Sequence, residues 1–346
     1  MSSLTTFVSC PNVQDRLENV FCTVRAEGKP LLNYIFSEAN NFRVLNTMVN
    51  KRPGGKVTVD LVYNRRVLES EIDTTQDFAC SATNKRGETS TSFDLDTQPA
   101  HILGKKIALT DLIERCESSD EYYARLILDM IDGLERKMET DLATDMVAFA
   151  GAFSTKDLDQ DGTSITANTK IVSTRFSDKS LDYFAHAAIM QTARLNGYCG
   201  APVIAGEYEI KNYYDAIQKG CCWDGGIDLS QVAPETPIIL PSYRITDALS
   251  SASKFITFAP GSILPVWFNR YADGFWAVEN GTDVAGVIVS PFTGIPFDYR
   301  AKRDCDDWSI EIGLAWDVFA APDDMFENSD VLDGNRLIHK HQITNP

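Results

Sequence analysis

The chain reads as an α+β protein on three observations. A long amphipathic helix falls near the middle, over 119–150. A polar stretch with period-two patterning precedes it, over 52–98. The C-terminal third is dominated by short apolar runs of strand length, and over 308–319 Ile310, Ile312, Leu314, Trp316 and Val318 alternate to give one buried face. With 346 residues, 44% hydrophobic and 23% charged, the composition is that of an ordinary globular protein, sized for one elaborated domain or two connected ones.

Taken in order, residues 31–49 are expected to form a short amphipathic helix, with Leu32, Ile35, Phe36, Phe42 and Leu45 near helical spacing. Lys51-Arg-Pro-Gly-Gly-Lys56 breaks the chain with strong turn chemistry. Val57, Val59, Leu61 and Tyr63 then alternate with polar residues. Residues 67–72 and 89–95 continue as extended chain around the turn Asn84-Lys-Arg-Gly87. Such a hairpin needs something to pack on.

Ser118-Ser-Asp-Glu121 has the spacing of a capping box. Behind it Tyr123, Leu126, Ile127, Met130, Leu134, Met138, Leu142, Met146 and Phe149 mark one face, with Glu121–Arg125 and Asp132–Arg136 pairs on the other. At 1.5 Å per residue this helix is a strut roughly 45 Å long. Residues 151–180 read as loop. Helices over 181–195 and 207–218 flank a strand at 202–205, and further strands are expected at 238–240, 255–258, 263–268 and 284–289.

The net charge of −17 opposes sequence-independent nucleic-acid binding, which draws its affinity from Lys and Arg on phosphates. The first 66 residues nevertheless carry nine Lys/Arg against five Asp/Glu, a basic portion on an acidic body. Eight scattered cysteines without a C-x-x-C pair argue against a disulfide framework or a zinc module. The first residues lack a basic leader and a long apolar run, so synthesis and use in the cytosol are expected.

No G-x-S-x-G, G-x-G-x-x-G, Walker lysine loop or H-E-x-x-H occurs, so no particular reaction is indicated. His186 lies in an apolar helix pattern and reads as a core histidine. His339 and His341 would place two imidazoles on one strand face, without a third ligand nearby. Asp157, Asp159 and Asp161 before Gly162 begin like a calcium loop. The twelfth position is Asn168 rather than Glu, so an acidic surface turn is the better reading and calcium the alternative.

The order of elements resembles the tailed-bacteriophage major capsid protein fold, which encapsulin compartments share. The wording Ser290-Pro-Phe-Thr-Gly-Ile-Pro-Phe-Asp298, followed by Trp308-Ser-Ile-Glu-Ile-Gly-Leu-Ala-Trp316 and Ala320-Ala-Pro322, is similar to the close of such proteins. The resemblance implies an N-terminal arm with a short helix (1–51), an extended β-hairpin loop (52–98), and a peripheral domain (99–180) with its spine helix at 119–150. It further implies an axial domain (181–290) and a C-terminal β return and tail (291–346). Implied subunit contacts are Lys56, Val57, Val59, Leu61, Tyr63, Arg65, Arg66, Asn84, Lys85 and Arg86 in the loop, and Cys221, Cys222 and Trp223 in the axial region.

The same resemblance implies a non-enzymatic shell subunit with no cofactor. It would assemble in a bacterial cytoplasm into pentamers and hexamers, with a separate scaffolding protein, a portal and auxiliary capsid proteins, and enclose DNA without specific binding. No Lys–Asn crosslinking pair is identifiable. An encapsulin-type compartment, a tail or baseplate protein and a soluble α+β hydrolase are the competing readings.

Overall fold

The computed structural model describes residues 17, 28–37, 46–51, 56–64, 88–96, 101–108, 119–151, 171–174, 193, 200–207, 237–250, 254–271, 283–304, 307–321 and 335–344. Its longest element is helix α2, Ser119–Phe149, 31 residues on the expected span. Tyr123, Ile127, Met130, Leu134, Met138, Leu142 and Met146 are all buried, and Leu126 and Phe149 pack against the same core. The stripe follows the 3.6-residue period, so burying it holds a helix whose ends need little help. The exposed Arg136 reaches back to the buried Asp132 at 3.0 Å, and Lys137 pairs with Asp141 at 2.6 Å, both one turn apart.

Two sheets flank this helix in the core. One is antiparallel and uses β4 (His101–Ala108), β10 (Ile263–Phe268), β11 (Asp283–Val289), β12 (Pro296–Asp304) and β13 (Asp307–Ala320). Strand β13 organises it, pairing with β12 and β4 along its first half and with β10 along its second. Its alternating residues Trp308, Ile310, Ile312, Leu314, Trp316 and Val318 are all buried, as the sequence predicts. The other sheet is mixed and runs β5 (Ala150–Gly151), β14 (Asn335–Thr344), β9 (Lys254–Phe258), β7 (Val203–Gly206), β8 (Ile238–Pro241), with β6 (Ile171–Thr174) also on β14. Adjacent β7 and β8 are parallel, so the chain between them must cross over. The helix expected at 207–218 falls in that connection, and like the one at 181–195 it lies almost wholly outside the described residues.

A third sheet shares no strand with these two: β1 (Asn46–Lys51), β2 (Lys56–Asn64) and β3 (Glu88–Asp96), antiparallel throughout, from Lys51↔Val57 and Lys56↔Asp96 to Asn64↔Glu88. This corrects the expected helix over 31–49. Helix α1 spans only Pro30–Ile35, with proline at its start, and 46–51 is a strand. Asn, Thr and Val are weak helix formers, and pairing with β2 satisfies their backbone groups.

The sequence reading also omits α3 (Tyr243–Leu249), β4 and β12, gives no bounds for β14, and treats 171–174 as loop where β6 forms. Among the described residues no helix is long and apolar enough to cross a membrane.

Candidate assembly surface

The segment 28–37 crosses α2 and is clasped there by three carboxylates at successive turns. Lys29, 2% exposed, places its ammonium 2.6 Å from Asp132 and 2.9 Å from Glu135, and 5.1 Å over the Phe292 ring. The Leu31 and Leu32 N–H groups, unpaired within α1, donate to the two oxygens of Glu139 at 3.0 and 2.8 Å. Glu135 also accepts from the Thr293 hydroxyl. That threonine sits in a turn built by its own sequence: the Ser290 hydroxyl accepts the Phe292 and Thr293 N–H groups, and Gly294 adopts φ +76°. The clasp therefore joins an early segment, the long helix and the Ser290–Ile295 turn.

Burial pushes the Glu139 carboxyl up to about 7, against the pull of the Leu32 and Leu31 N–H groups, Arg244 and Lys29. Burial also raises Asp298, which the Arg270 and Tyr271 N–H groups hold at 2.9 and 3.3 Å. Asp145 is raised by burial and by the neighbouring Asp317 and Asp141. Beyond α1, Phe36 packs on Trp267 and Trp316 with ring centroids 5.2 and 6.4 Å apart.

Among the residues expected to contact other subunits, Lys56, Val57, Val59, Leu61 and Tyr63 all fall on β2, at alternate register positions from Val57 to Tyr63. Val59 has a different employment. It is buried against Val266, Phe268 and Ala315 of its own chain, so at this point the sheet is fastened to its own body. Arg65, Arg66, Asn84, Lys85, Arg86, Cys221, Cys222 and Trp223 lie outside the described residues, as do Asp157, Asp159 and Asp161. His339 and His341 are buried on β14 with rings 6.4 Å apart. The His341 ring stacks on Phe255, and its Nε2 bonds the Thr257 hydroxyl at 2.7 Å. Among the described residues no three potential ligands gather around a metal position.

Sequence reasoning missed the clasp. A signal was present: Asp132, Glu135 and Glu139 sit at helical spacing between Ile131, Leu134, Met138 and Leu142, so acids interrupt the apolar side of α2.

No family model matches the sequence, and no curated protein does. The solved structures it resembles are mostly phage capsids. The capsid of Ralstonia phage GP4 matches at 8% identity over 93% of each chain, with a TM-score of 0.42. The mature capsid of bacteriophage PhiM1 matches at 9% identity over 85% of this chain and 83% of that one, with a TM-score of 0.41. A virus-like particle from Pyrococcus furiosus matches at 12% identity over 95% and 98%, with a TM-score of 0.37. No residue role is carried over from them.

Proposed function

We propose that this chain is the major capsid protein of a tailed bacteriophage, the repeating subunit of a closed shell around packaged double-stranded DNA. The observation that carries this reading is the three-stranded sheet β1–β2–β3, hydrogen-bonded among the described residues to neither of the other sheets, in a chain built on a 31-residue strut. Strand β2 alone is about 30 Å long, and Val59, the fourth of its nine residues, fastens it to the body near its middle. A sheet outside the two core sheets, held to the body at one patch, is suited to lie also on a neighbouring copy, so that one chain presents several surfaces that close by symmetry.

On this reading the chain is not an enzyme and its partners are copies of itself in rings of five and six. A separate scaffolding protein, a portal and auxiliary capsid proteins would attend it during assembly in the host cytoplasm. The net charge of −17 suits a wall from which DNA slides rather than one to which it sticks.

Electron microscopy of the purified protein, with and without its candidate scaffolding protein, tests the proposal. Closed shells or five- and six-membered rings are expected. A uniform monomer under both conditions overturns it. Closed shells around a protein cargo would point to an encapsulin-type compartment instead.

A further inference from the structure

We draw no further inference here: the strongest candidate, the buried pair of imidazoles His339 and His341 on β14, is core packing of the mixed sheet, with His341 held by the Thr257 hydroxyl and the stacked Phe255 ring, and among the described residues no third ligating side chain joins the two to hold a metal ion.

Discussion

The hydroxyls of Tyr123 on α2 and Tyr299 on β12 share a hydrogen bond inside the core, joining the long helix to the antiparallel sheet. Both rings are fully buried, so each hydroxyl has given up water for its place. Tyr123→Phe and Tyr299→Phe are each expected to cost about 1–2 kcal/mol. The double variant should cost less than their sum, by about 0.5–1.5 kcal/mol. Urea unfolding of all four proteins gives the coupling, and strict additivity would show that the two hydroxyls do not support one another.

Lys29→Met is expected to cost about 3–5 kcal/mol, because it takes the buried cation from Glu135 and leaves Asp132 only its pair with Arg136. Adding Asp132→Asn and Glu135→Gln should recover much of that loss, since the penalty comes from the stranded charges. Thermal unfolding of the single and triple variants checks both statements. A triple variant no more stable than the single one would mean that the lysine stem, not its charge, matters.

Gly133 lies within α2, and a Cβ built there meets nothing within 4 Å. Gly133→Ala is therefore expected to raise stability by about 0.5–1 kcal/mol, chiefly by narrowing the unfolded ensemble. A higher urea midpoint at unchanged slope is the expected result. A lower midpoint would mean that the glycine meets a neighbour in the folded protein.

Asn64 and Glu88 face each other at the last register position of β2 and β3. Replacing residues 65–87 with a short Gly-Ser turn should keep both strands paired and leave Val59 on Phe268, while abolishing shell formation. Val59→Asp should instead free the sheet from the body and expose Phe268 and Val266. Circular dichroism and electron microscopy separate the outcomes. Normal shells from the shortened chain would show that the excised residues take no part in assembly.

Sequence alone yielded α2 and β13 because each buries one face over many residues, so periodicity accumulates. Of β14 it gave only a strand face carrying His339 and His341, without the strand's extent. Both histidines are interior, and a hydroxyl on β9 and a stacked phenyl ring receive His341. Strand β4 was hidden by Lys105 and Lys106, both exposed, although its backbone pairs along eight positions of β13. Helix α1 ends earlier than its pattern suggests because Phe36 turns onto Trp267 and Trp316, contacts some 230 and 280 residues away. The clasp is of the same kind: its acids are visible as an anomaly in α2, but their lysine lies 103 residues upstream of Asp132.

Strand β14 comes last among the strands yet sits inside its sheet, hydrogen-bonded to β9 on one hand and to β5 and β6 on the other. Synthesis runs in one direction, so a ribosome must release residues 335–344 before those three strands can join. Until that moment the growing polypeptide holds an open seam along β9. Closing the mixed sheet is thereby one of the last events in making the body, whatever order its other parts fold in.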